Sequence, residues 1–411
     1  MLDESLLDSP EALAHADTHG LLRAAAEAGA HVRTAVRSAT DSGLSELHPD
    51  GRPRAVLVAG PGPATACAAD MLGALTNGAM PVTLLRPYGP LAVPEALRWA
   101  LPGWAGALDL LLVATPDGAE PGLTVLIEQA YRRGCTVVTV SPPATPAATL
   151  TGETHGLAVP LAAGPVAGWS SHPAPPSQQG GPAGPNPQHA QQVQHAQQQA
   201  AAASAASPAV LWSLLTPLLV LSDKLGLFPA EPSALQSLAD RLDHVAERCG
   251  PATATYSNPA KSLAAELTGS LPLLWSEGGI AGAVARHGAT TLAALPGLPA
   301  LTAELPEAMA VHSSLLSGAL AASSDPEDFF RDRVEEPESL RARIMLLREQ
   351  APFEDSAVVA VRDLAYAQEV PLSELEPVDG SNPLEAVAEL IATVDFAAVY
   401  LSLADGGPSW S

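Results

Sequence analysis

The chain has 411 residues, 47% of them hydrophobic, and carries a formal net charge of −24 at pH 7. That length buries one large core or two modest ones, and with aromatics at 4% Ala, Leu and Val must fill it. The charge argues against nucleic acid or an anionic membrane as partner, so any anionic ligand has to be held by local dipoles.

Residues 1–50 read as helices, with Ser9-Pro10 supplying an N-cap followed by Pro at the first helical position. The opening MLDESLLDSPEAL is acidic and lacks the pattern of a signal peptide, so a cytoplasmic protein is expected. Arg54–Ala59 is a continuous apolar run closed by Gly60-Pro61-Gly62, as expected of a strand buried on both faces. A helix follows over Ala64–Leu75. Further strands are expected at Pro81–Leu85, Ala107–Ala114 and Thr136–Val140, with a helix over Gly122–Arg133. Strands alternating with helices of this length imply a parallel, doubly wound sheet over residues 51–165.

The tract 171–207 is rich in Pro, Gly, Gln and Ala, with almost no large apolar side chain. It is expected to be a disordered insertion, because it cannot bury enough surface to offset ordering entropy. His189 and His195 within it make a poor metal site. Cys67, Cys135 and Cys249 fit neither a metal spacing nor a disulfide framework, and no cofactor is expected. A helical connector spans 208–250. Its apolar run Val210–Phe228 contains Ser213, Thr216, Pro217, Asp223 and Lys224, which suits a buried helix better than a membrane span. A second α/β unit is expected over 251–405, with strands at Leu271–Trp275, Leu340–Leu347 and Ala357–Val361 and a closing helix over Asn382–Leu403.

The stretch Asn258–His312 holds Asn258-Pro-Ala-Lys261, an apolar strand, Gly278-Gly279, Arg286, Pro299-Ala300 and Glu304-Leu-Pro-Glu307. This frame resembles the second half of the bifunctional phosphoglucose/phosphomannose isomerases of bacteria and archaea, which carry two SIS (sugar isomerase) domains. The resemblance implies two SIS-type, flavodoxin-like units, a homodimer, and a hexose phosphate as ligand. It also locates the chemistry. The family's general-base Glu falls on Ala294, and its ring-opening His falls on Ala310. The Arg expected near the enediolate falls on Pro208. The implied function is sugar-phosphate binding with lost or weak isomerase activity. An active isomerase using Glu307 as base and His312 as ring opener is the alternative, and a scaffold or regulatory partner of a sugar-phosphate enzyme is another. Glu304 and Glu307 also suit ordinary charges at a helix start.

SIS domains hold phosphate with hydroxyls and backbone N–H groups at strand-to-helix turns, where orphan donors and the helix dipole favour an anion. Two such turns are present. The first is Gly60-Pro-Gly62-Pro-Ala-Thr65, and the second is Thr115-Pro-Asp-Gly-Ala-Glu120. Gly60, Gly62, Thr65 and Thr115 are the candidate binding residues there, joined by Lys261 and Arg286 from the second half. Pro61 and Pro63 remove two possible donors, and Asp117 and Glu120 bring negative charge near any phosphate.

Overall fold

The computed structural model describes residues 4–44, 51–89, 96–161, 206–318, 320, 341–350 and 356–404. Most of the 171–207 tract, including His189 and His195, lies outside the described residues. The chain divides into two compact units, His19–Asp240 and Met1–Thr18 with Arg241–Ser411. The helices of the first fifty residues and of 208–250 are thus shared between the units.

Helices α1 (Glu4–Leu7) and α2 (Pro10–Ala16) belong to the second unit. The Ser9 hydroxyl caps α2 by accepting the Ala12 N–H at 3.4 Å. The first unit opens with α3 (Leu21–Ala26) and α4 (Ala28–Asp41). It continues with β1 (Ala55–Ala59), α5 (Pro63–Leu75), β2 (Val82–Leu85), β3 (Asp109–Ala114), α6 (Pro121–Arg132), β4 (Thr136–Ser141), α7 (Pro146–Glu153), β5 (Leu157–Pro160) and α8 (Pro208–Lys224). Its five strands run parallel in the order β2-β1-β3-β4-β5. β1 and β3 are buried along their whole length, which explains their unbroken apolar sequences. Leu57, Leu111, Val113 and Val137 form one core layer with Leu126 and Ile127 of α6. Helix α8, nearly all buried, packs on α4 and α5. At the start of β3 the buried Asp109 carboxylate accepts Arg54 Nε at 3.0 Å, Arg54 Nη2 at 2.6 Å and the Gly106 N–H at 2.8 Å. Those hydrogen bonds, led by the guanidinium's, hold its pKa below the ordinary Asp range.

After α9 (Pro232–Cys249), the second unit runs through α10 (Pro259–Leu267), β6 (Ser270–Glu277), α11 (Gly279–Ala294), β7 (Leu301–Glu304), α12 (Glu307–Leu316), β8 (Arg341–Arg348), α13 (Val358–Ala367), β9 (Leu372–Leu375) and α14 (Pro383–Ala404). The four strands are parallel, in the order β7-β6-β8-β9. Leu273, Trp275, Ile344 and Leu346 line one face of the sheet, with Val358 and Val361 packed on it. Helix α14 begins with a reciprocal cap: Asn382 Oδ1 accepts the Leu384 and Glu385 N–H groups, each at 3.0 Å, and Glu385 accepts the Asn382 N–H at 2.9 Å. Among the described residues α14 is the one helix long and apolar enough to cross a membrane, and most of it is buried in the core.

The architecture is the expected α/β fold with two parallel sheets. One expected element is wrong. Ala357–Val361 is not a strand but the start of α13. Val358, Val361 and Ala365 are buried while Arg362, Asp363 and Tyr366 are exposed, a helical spacing. A short β-branched run does not distinguish strand from buried helix, and the deciding contact, the Glu277 carboxylate at the start of α13, lies far away in sequence. The short strands β5, β7 and β9 were also not expected. Each is four residues long and broken by a proline or by polar residues (LAVP, LTAE, LSEL), unlike the equally short but mostly apolar β2.

Candidate functional site

Both sheets are doubly wound. From β1 the chain goes outward to β2 and then returns to the other side of β1 as β3. From β6 it goes to β7 and returns as β8. In such sheets ligands bind outside the carboxyl ends of the strands where the winding reverses. The two points to inspect are therefore β1/β3 in the first unit and β6/β8 in the second.

At the β1/β3 point the two sequence-predicted turns meet. The buried Thr65 hydroxyl donates to the Ala114 carbonyl at 2.8 Å. A Cβ at Gly60 would lie 1.9 Å from that same oxygen, so the close approach requires glycine. The Thr115 hydroxyl donates to Asp117 Oδ1 at 3.1 Å and accepts the Gly118 N–H at 3.0 Å. Asp117 Oδ1 also accepts the Ala119 N–H at 3.2 Å, and its Oδ2 is buried without a partner. The Thr145 hydroxyl lies against Gly118 and is 3.2 Å from that of Ser141. Helix α5 starts at Pro63 after Gly62 and α6 at Pro121 after Glu120, and neither start carries a side-chain cap from the residue before it. The first sheet therefore presents two helix N-termini, a set of hydroxyls and two carboxylates, Asp117 and Glu120.

The β6/β8 point is closed by side chains of the chain itself. Glu349, just past β8, accepts the Ile280 and Ala281 N–H groups of α11 on Oε2, at 2.6 and 3.2 Å. Glu277, at the end of β6, accepts the Ala357 N–H at 2.9 Å and the Ser356 hydroxyl at 2.8 Å at the start of α13. A Cβ at Gly278, whose φ is +103°, would lie 2.3 Å from Glu349 Cδ, so glycine is needed for the carboxylate to seat.

The remaining candidate residues belong to the second unit. Lys261 is fully buried. Its Nζ donates to the carbonyls of Pro251 and Thr253, each at 2.8 Å, and lies 5.5 Å from the Tyr400 ring centroid. Burial pushes its pKa below the ordinary Lys range, and Asp8 opposes this weakly. Asn258 caps α10 through the Ala260 and Lys261 N–H groups, at 3.1 and 3.0 Å. The Asn258–Lys261 run thus ties a turn together. Arg286 pairs with Glu304 at 3.0 Å on the surface. Glu307 is exposed in the first turn of α12. His312 is buried, and its Nδ1 accepts the Trp275 indole N–H at 2.7 Å. A neutral ring therefore carries its proton on Nε2, and burial pushes the pKa down. Ala294 ends α11 and Ala310 is exposed on α12, so neither expected catalytic position carries a group that titrates. Pro208 is the first residue of α8.

Residues 256–407 match the model of the bacterial phospho-glucose isomerase C-terminal SIS domain. No curated protein matches the chain. Among solved structures, a candidate phosphosugar isomerase from Silicibacter pomeroyi DSS-3 aligns with a TM-score of 0.53 at 15% identity, covering 93% of this chain and 97% of its own. The C-terminal domain of glucosamine-fructose-6-phosphate aminotransferase from Francisella tularensis aligns with a TM-score of 0.52 at 11% identity, covering 95% and 97%. Tagatose-6-phosphate ketose/aldose isomerase from Escherichia coli gives 0.50 at 14%, covering 95% and 92%. At these identities the likeness establishes the fold alone, a SIS-type fold shared with phosphosugar isomerase-like proteins. Asp117 was legible in the sequence as a charge near a phosphate turn. Glu277 and Glu349 were not, because each closes on backbone about seventy to eighty residues away.

Proposed function

We propose that this chain binds a sugar phosphate or related carbohydrate derivative at the β1/β3 point of the first sheet and does not isomerise it, acting as a cytoplasmic homodimer in a regulatory or scaffolding role. The carrying observation is the contrast between frame and chemistry. The SIS-type fold is intact, while Ala294 and Ala310 stand where the base and the ring opener are expected. General acid–base groups supply roughly 10²–10⁴-fold each, and a methyl group supplies none of it. The first sheet suits the ligand because α5 and α6 begin without side-chain caps. Their amides favour a phosphate, and the Asp117 carboxylate is a natural acceptor for sugar hydroxyls.

Two measurements test this. Dose-dependent stabilisation by glucose-, mannose- or fructose-6-phosphate in a thermal-shift assay is the expected result, and its absence for all three would refute ligand binding. A coupled assay should find no interconversion of those sugars. Robust turnover lost in Glu307→Gln would instead establish an active isomerase with Glu307 as its base.

A further inference from the structure

Strand β3 has a carboxylate near each end, and the two have different surroundings. Asp109, at its start, is buried and neutralised by the Arg54 guanidinium. Asp117, in the turn after its end, is met only by neutral donors among the described residues. Its Oδ1 accepts the Thr115 hydroxyl at 3.1 Å and the Ala119 N–H at 3.2 Å, while its Oδ2 is buried with no donor at all. The turns at 60–70, 113–122 and 141–147 contain no Lys or Arg. Glu120, just before α6, adds a second negative charge. A buried carboxylate oxygen left without a donor is costly, and a ligand that brings a donor recovers that cost.

We infer that the ligand of the first sheet is an amino-sugar phosphate, a hexose phosphate whose ammonium is received by Asp117. This rests on the proposed sugar-phosphate site and adds the class of sugar to it. A sugar hydroxyl gives the orphaned oxygen one neutral donor, whereas an ammonium gives three and carries the positive charge that the turns lack. Hydrogen bonds between two ionised partners are the stronger kind. The cation also offsets the repulsion that Asp117 and Glu120 exert on an incoming phosphate. Asp117 as a residue is only partly buried, so a bound sugar can reach its carboxylate. An N-acetylated sugar keeps the nitrogen but loses the charge, and gains nothing from this arrangement.

The test is calorimetric titration of the full chain with glucosamine-6-phosphate, N-acetylglucosamine-6-phosphate and glucose-6-phosphate, at about pH 6.5 where the free amine is charged. The proteins are the wild type, Asp117→Asn and Glu120→Gln. The wild type should bind glucosamine-6-phosphate at least about tenfold more tightly than glucose-6-phosphate, the difference between a charged and a neutral hydrogen bond. It should bind N-acetylglucosamine-6-phosphate no more tightly than glucose-6-phosphate. Asp117→Asn keeps an acceptor for the Ala119 N–H but loses the charge, and should cut the tenfold ratio to about threefold or less. Glu120→Gln should lower the ratio as well, and is the variant read if the asparagine protein does not fold. Equal wild-type affinity for the amino and neutral sugars overturns the inference and leaves the sugar-phosphate site standing. So does a ratio unchanged in both variants. Binding of none of the three sugars overturns the site itself, and the inference with it.

Discussion

Lys261→Met separates a structural lysine from a ligand-binding one. The sequence places Lys261 among candidate phosphate contacts, but the fold buries its side chain completely and gives its ammonium two carbonyl acceptors, each at 2.8 Å. Hydrogen bonds to a charged group contribute about 1.5–3 kcal/mol each, and a desolvated cation over an aromatic ring up to about 2 kcal/mol. Methionine keeps the stem and returns about 1–2 kcal/mol by burying an apolar end and sparing the ammonium its desolvation. The net loss should therefore be about 1–7 kcal/mol. For a unit of this size that lowers the Tm by roughly 2–28 °C. The same argument fixes a pH signature. The Lys261 pKa is lowered in the folded state, so between that value and the unfolded value near 10.5 the unfolded chain binds more protons. Stability from this group then rises with pH in that window, and Lys261→Met abolishes the rise. Calorimetric melts of both proteins between neutral and alkaline pH, with hexose-phosphate affinity measured alongside, provide the assay. A variant as stable as the wild type that has lost ligand affinity would refute the structural assignment.

At Asp109 the folded pKa is lowered mainly by Arg54, so its stabilisation is present above the unfolded value near 3.8 and is lost as pH falls through the folded pKa. Asp109→Asn should flatten the acid limb of a pH–Tm curve, and an unchanged limb would contradict the pairing. At His312 burial lowers the folded pKa, so the unfolded chain takes up the proton first and stability falls as pH drops below about 6.5. His312→Leu should remove that slope, and NMR titration of the imidazole should show it neutral at pH 7 with the proton on Nε2. Observation of a charged ring at pH 7 would revive a catalytic role for His312.

Legibility followed sequence distance. The strands β1, β3 and β4 are long and apolar, and their positions were readable because burial on both faces writes a continuous hydrophobic run. The glycine turns after β1 and β3 were readable for the same reason, since each directly follows a readable strand. The α13 segment was misread because its helical character is set partly by Glu277, whose carboxylate supplies the N-terminal cap from 80 residues away. The inward turn of Lys261 was equally hidden. Its acceptors are the carbonyls of Pro251 and Thr253, and no side-chain pattern marks a carbonyl. His312 was visible as a residue near the expected ring opener, but its partner is an indole on β6 that only strand placement reveals.

The two sheets share a winding scheme and part company at the amides outside their reversal points. In the first, α5 and α6 begin without side-chain caps, and the nearest carboxylate, Asp117, holds the Ala119 N–H with one oxygen and leaves the other unpartnered. In the second, the N–H groups opening α11 and α13 are bonded by Glu349 and Glu277. An open helix start buried without a partner is costly, and in the second sheet the Glu349 and Glu277 carboxylates offset that cost. The expected catalytic positions Ala294 and Ala310 both belong to the second unit, the one whose seat is filled.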